Sequence, residues 1–218
     1  MIITIGSHKG GTGKSTLAVN LAAIYQAAGH RVIVIEADPS VSTSSTWAAR
    51  REAHEDLAPV TVLRKTDRLN VTLEGLEQAY DLVLVDTAGK DSLELRTAAL
   101  VSDVLVIPTN ADKPDLDSTK DFLARMDEAR IINEALKMLV VITRASTHPR
   151  SKHRDVAIAA LEDSPEDFAL ADAVIFNRRI YPDALEEGRG VVEQRARTEQ
   201  ASEEVQALAQ EILDYAGA

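Results

Sequence analysis

At 218 residues, 45% of them hydrophobic and 4% aromatic, the chain can build one sizeable core, mainly from Val, Ile, Leu and Ala. It is too apolar for a disordered protein. The absence of cysteine excludes disulfides, thiolate metal sites and Cys-ligated iron–sulfur clusters, and the chain reads as cytoplasmic. A formal net charge of −11 excludes a protein coating nucleic acid with its whole surface, but leaves room for a local basic patch.

The start, Met1 to Ile5, is apolar but too short for a signal peptide, and no apolar run is long enough to cross a bilayer. Ile2 to Ile5 is a β-branched run ending at Gly6 and predicts a buried first strand. A glycine-rich loop follows. A helix then starts near Ser15, with Leu17, Leu21, Ile24 and Tyr25 on one face, and stops at Gly29. Val32 to Ile35 completes a βαβ unit. The alternation continues with a strand at Pro59 to Leu63, a helix at Leu69 to Ala79 and a strand at Leu82 to Val85. A helix at Leu93 to Val101 and a strand at Val104 to Ile107, halted by Pro108, come next. A long helix over Leu116 to Ile132 precedes the strand Leu139 to Thr143. Beyond Arg144 come a basic, turn-like stretch at His148 to Arg154, a short strand at Ala173 to Phe176 and an acidic helix from Thr198 to Tyr215. Such alternation predicts an α/β fold, a doubly wound, mostly parallel sheet with helices on both faces, in a single domain spanning 1–218.

Three segments carry chemistry. Gly10, Gly11, Thr12 and Gly13, followed by Lys14, Ser15 and Thr16, stand between a strand and a helix. Glycines there let backbone N–H groups turn inward to cradle phosphates at the positive end of the helix dipole. Lys14 would neutralise phosphate charge and the Ser15 hydroxyl would ligate Mg²⁺. This reads as an ATP or GTP phosphate loop, with His8 where the general pattern has its first glycine. Asp38 follows the second strand at the sheet edge where open α/β folds bind ligands; before Pro39 it also suits a plain turn. Leu82 to Val85 leads into Asp86, a Walker B pattern that brings a carboxylate near the Mg²⁺ shell. Gly89 offers backbone freedom for a switch segment.

With Lys9 ahead of the glycines, the loop resembles the deviant Walker A motif, K-G-G-x-G-K-[ST], of the ParA/MinD family of dimerising ATPases. The resemblance implies Mg²⁺-dependent ATP hydrolysis by a homodimer formed on ATP binding. Lys9 then reaches the phosphates held by the other subunit, and Lys9, Lys14 and Asp38 are the catalytic residues. In the family pattern D-x-D-P-Q, Asp38 matches the second Asp, which orients water and supports Mg²⁺; Ser15 and Asp86 complete the metal set. Glu36 stands in place of the first Asp and Ser40 in place of Gln. Val106 to Thr109 and Val141 to Arg144 resemble the strands framing the base, so Arg144 is either a nucleotide contact or a surface arginine. Phe176 to Tyr181, Glu187-Gly188 and Gly190 to Glu193 resemble the C-terminal block.

The acidic end, Ser202 to Tyr215, lacks the basic amphipathic helix of membrane-bound relatives. Starting directly at its first strand, the chain resembles the short plasmid-partition proteins. That likeness implies non-specific DNA binding in the ATP state, nucleoid association, and a small centromere-binding (ParB/ParG-like) partner that stimulates hydrolysis. Arg144, Arg150, Lys152 and Arg154 form one basic cluster; Arg178, Arg179, Arg189, Arg195 and Arg197 form another. Either suits phosphate contact, or is a solvated face. Two alternatives share the site: an ATPase positioning a protein compartment or chemoreceptor cluster, and a synthetase phosphorylating a carboxylate.

Overall fold

The computed structural model describes residues 1–148, 152–162, 164, 167–194 and 199–217. Seven strands form one parallel sheet: β1 (Ile2–Ile5), β2 (Val32–Glu36), β3 (Thr61–Arg64), β4 (Leu82–Asp86), β5 (Val104–Thr109), β6 (Lys137–Ala145) and β7 (Ala169–Phe176), in the order β3-β2-β4-β1-β5-β6-β7. The helices are α1 (Lys14–Ala27), α2 (Thr43–Arg51), α3 (Asn70–Glu77), α4 (Leu93–Ala99), α5 (Lys113–Arg130), α6 (His153–Leu161), α7 (Ile180–Glu186) and α8 (Glu199–Ala216), with a 3₁₀ turn at Val191–Glu193.

Continuous apolar runs suit strands covered on both faces, because side chains alternate along a strand. Leu82 and Leu84 of β4 pack on one face with Leu17 and Tyr25 of α1, Trp47 of α2 and Ile212 of α8. Val83 and Val85 face the other way, onto Leu73 of α3. Farther along that face, Leu105 and Ile107 of β5 meet Phe122 and Met126 of α5. The sheet order reverses about β1, so the loop leaving Ile5 emerges at the switch point of the doubly wound fold. Among the described residues, no helix is long and apolar enough to cross a membrane.

Several boundaries differ from the sequence reading. β5 runs through Pro108 to Thr109. The Val106 carbonyl accepts from Gly6 N, so Pro108, two residues on, turns its missing donor to the side where β1 has already ended. β3 and β7 are shifted or longer than expected, and α2, α6 and α7 form where no helix was predicted. The α2 sequence TSSTWAARR is rich in Ser and Thr, which favour caps and turns. It becomes helical because Trp47 is fully buried and a carboxylate from β2 caps its first turn. His153 and Arg154 belong to α6; Pro149, Arg150 and Ser151 lie outside the described residues.

Candidate functional site

The loop after β1 is closed by its own side chains. Ser7 Oγ donates to the Lys9 carbonyl (3.0 Å) and shares a hydrogen bond with Thr12 Oγ1 (2.9 Å). Gly11 and Gly13 have φ of 78° and 91°, a region costly for any residue with a Cβ. From β6, Thr143 Oγ1 donates to the Thr12 carbonyl (2.8 Å) and Arg144 Nη1 to the Gly11 carbonyl (2.6 Å). Arg144 itself has a φ of 52°, a strained setting for a non-glycine residue, here held by that contact. Helix α1 starts on Gly13 with no side-chain cap and no acidic residue in its first turn. Its free N–H groups and positive dipole end are thus open to an anion.

Lys14 is buried, with Nζ donating to the Lys9 carbonyl (2.9 Å) and Ser7 Oγ (3.1 Å). Burial lowers its pKa, while Asp86 and Asp38 pull it back up. Asp38 accepts from Ser40 N (2.8 Å) and Ser40 Oγ (2.5 Å), which holds the turn after β2. Asp86, at the end of β4, is buried. That burial pushes its carboxyl up to about 6, and the neighbouring Glu36 adds to the rise, against Ser44 and Ser15 hydrogen bonding and the Lys14 charge. Asp86 Oδ2 accepts from Ser44 Oγ (2.8 Å); Oδ1 is buried without a partner. Gly89 does not take up a positive φ. A Cβ there would lie 2.5 Å from Gly10 Cα, so glycine is needed for close approach to the loop, not for flexibility.

A cavity of about 510 Å³ opens at this edge of the sheet, within the range of small-ligand sites. Gly10, Gly11, Gly13, Lys14, Ser15, Thr16, Asp38 and Arg144 all line it. Thr12 instead turns into the loop, Asp86 lies behind the lining, and Lys9 sits outside it, bonded to Asp115 of α5 and the Pro114 carbonyl (3.2 Å). The wall built by β7 and α7 is largely apolar, with Phe176, Tyr181, Pro182 and Leu185 beside Asn177 and Arg178. The C-terminal block was the only sequence signal for that wall. One end of the cavity thus presents anion-binding donors and the other an apolar surface, the two needs of a nucleotide. No group of three His, Cys, Asp or Glu side chains capable of holding a metal occurs among the described residues. Mg²⁺ needs none, because it takes one or two protein oxygens, phosphates and water. The unpartnered Asp86 Oδ1 and the Ser15 hydroxyl fit that demand.

The described members of the expected basic clusters differ in their surroundings. Arg189 is buried and paired with Asp56 (3.2 Å), and Arg178 lines the cavity, lies over Phe176 and pairs with Glu204 (2.7 Å). Arg154 pairs with Asp172 (2.6 Å). Lys152 is exposed, as is Arg179, whose ion pair with Asp183 is long at 3.7 Å. Arg150, Arg195 and Arg197 lie outside the described residues. Partners distant in sequence, invisible in a linear charge count, hold both: Arg178 pairs with the part-buried Glu204, and Arg189 donates to the Glu193 carbonyl (3.2 Å) as well as to the exposed Asp56.

The model of the family described as CobQ/CobB/MinD/ParA nucleotide binding domain matches residues 3–191. The chain is 41% identical over 120 residues to the maintenance of carboxysome distribution protein A of Gloeobacter kilaueensis; the match covers 53% of this chain and 51% of that one. The chain thus spans about half the length of that relative. It is 27% identical over 168 residues to the chromosome-partitioning ATPase Soj of Thermus thermophilus, covering 64% and 67%. The fold is that of the septum site-determining protein MinD of Pyrococcus horikoshii, solved with Mg-ADP, at a TM-score of 0.77 and 22% identity over 99% of this chain and 97% of that one. With the phosphate loop at the switch point and the match extending over most of the sheet, this chain belongs to the CobQ/CobB/MinD/ParA nucleotide-binding family.

Proposed function

We propose that the chain is an ATP-dependent dimerising switch that partitions DNA, binding it without sequence preference in the ATP state and releasing it when a small centromere-binding partner stimulates hydrolysis. The observation that carries the reading is the division of labour between two lysines. Lys14 lines the cavity and is buried, whereas the Lys9 ammonium lies outside it on a part-exposed surface. A cation so placed serves a second chain better than its own nucleotide, as a charge supplied in trans to developing phosphate charge. In this reading the loop N–H groups and Lys14 bind the phosphates, and Arg144 keeps the loop in place. Asp38 orients water, and Ser15 and Asp86 hold Mg²⁺, which neutralises phosphate charge. DNA contact falls to exposed cations such as Lys152 and Arg179, in a chain whose net charge of −11 confines binding to a patch.

Sedimentation with ADP, ATP and a Lys9→Ala variant tests the switch: ATP should dimerise the wild type and not the variant. DNA binding should require ATP and weaken steeply with salt; equal binding without nucleotide overturns that part. The similarity to a carboxysome-distribution protein favours a second reading, in which the same switch positions a protein compartment. In that case a cargo-bound adaptor, not a centromere-binding protein, stimulates turnover.

A further inference from the structure

Glu36 and Asp86 are register partners on adjacent parallel strands, so two carboxylates stand side by side at the edge of the sheet where the phosphate loop emerges. Both are buried, an arrangement that costs free energy unless each is hydrogen-bonded. One residue serves both. The Ser44 backbone N–H donates to Glu36 Oε1 (2.8 Å), and its hydroxyl donates to Asp86 Oδ2 (2.8 Å). Ser45 adds its N–H (3.2 Å) and its hydroxyl to Glu36, and Arg64 from β3 approaches the same carboxylate at 3.4 Å. Glu36 therefore caps the first turn of α2 from below, in place of a side chain within the helix, since the N-cap Ser42 makes no capping bond. The extra methylene of Glu over Asp gives the reach for this cap.

Two consequences meet at Ser44. With Oδ2 occupied, only Asp86 Oδ1 is left free, buried and without a partner. And because α2 directly follows the turn that carries Asp38, the bond to Asp86 ties that turn to the end of β4. We infer that Ser44 is a positioning residue for the metal site: it fixes the Asp86 carboxylate so that Oδ1 faces the Mg²⁺ shell, and couples the arrival of Mg²⁺ to α2 and, through it, to the preceding turn that carries Asp38. The inference rests on the ATP–Mg²⁺ reading of the site. Outer partners of this kind set metal affinity.

The test is the Mg²⁺ concentration at half-maximal binding of a fluorescent ATP analogue, measured on the full chain with folding checked by circular dichroism. Ser44→Ala should raise that midpoint by roughly 10-fold while leaving metal-free binding in EDTA unchanged. Ser44→Thr should restore it. Thr46→Ala, an exposed hydroxyl on the same helix, should match the wild type. Ser44→Cys, close in shape but a weak donor, carries the same prediction should Ala impair folding. A Ser44→Ala or Ser44→Cys midpoint within about twofold of the wild type, or one that Thr fails to restore, overturns the inference. A wild type whose binding ignores Mg²⁺ overturns the underlying reading of the site instead.

Discussion

The Lys9 ammonium is held by the Asp115 carboxylate at the start of α5, 106 residues further along the chain. Asp115 is itself steadied by Asn110 Nδ2 (2.6 Å). In a single chain, then, the charge proposed to serve a second subunit is already compensated, and it must leave Asp115 to do so. Lys9 is part-exposed, so the pair is a weak latch, worth about 1 kcal/mol or less. Each dimer opens two such pairs, so Asp115→Asn should lower the protein concentration needed for the ATP-dependent dimer by up to about thirtyfold, read by sedimentation velocity. Lys9→Ala should abolish the dimer while leaving ATP binding by one chain intact.

Gly89 lies against the backbone of Gly10, leaving no room for a Cβ. Gly89→Ala forces the turn after β4 and the phosphate loop apart. Overpacking of this kind costs about 1–3 kcal/mol, and it falls on the loop that cradles the phosphates. The expected result is a 10-fold or greater loss of nucleotide affinity, since each 1.4 kcal/mol is about tenfold, with a smaller fall in Tm. Equal losses in a Gly75→Ala control, where a Cβ meets nothing within 4 Å, would argue against it.

Asp86 is held near a pKa of about 6 by burial, above the ordinary carboxylate value. A carboxyl whose folded-state pKa is raised takes up a proton in the folded chain before the unfolded one does. Its ionisation therefore destabilises the fold above about pH 6, and the penalty fades as pH falls toward 4. Asp86→Asn should be more stable than the wild type at pH 7.5, by an amount on the order of 2 kcal/mol, and the gap should shrink by pH 5. Urea unfolding in EDTA without nucleotide measures both values. A gap independent of pH contradicts the assignment.

Arg51 is buried, with Nη1 and Nη2 donating to Glu193 (2.7 and 2.6 Å), Nε to the Ala58 carbonyl (2.7 Å), and its guanidinium 5.1 Å from the Trp47 ring centroid. It ties α2 to the 3₁₀ turn at Val191–Glu193. Arg51→Ala leaves Glu193 unpaired and should cost about 3–5 kcal/mol, measured by chemical denaturation. Arg51→Met, replaced together with Glu193→Leu, should recover most of that loss.

The strands and the phosphate loop were legible in the sequence because their causes are local. Val32 to Ile35 and Leu82 to Val85 are continuous apolar runs that only a doubly covered sheet can bury. Gly11 and Gly13 supply the positive φ that the loop demands, and Lys14 and Ser15 follow at the start of α1. The likeness of Lys9 to a family signature was equally visible. What the sequence could not show depends on partners far along the chain. Glu36, read only as a departure from a motif, is the cap of α2, because β2 ends within reach of Ser44 and Ser45. Arg178 and Arg189, counted as surface charge, are held by Glu204 and by the Glu193 carbonyl and Asp56 respectively. The tertiary structure alone decided these, since a buried charge goes where a distant opposite charge can satisfy it, and linear order carries no record of that distance.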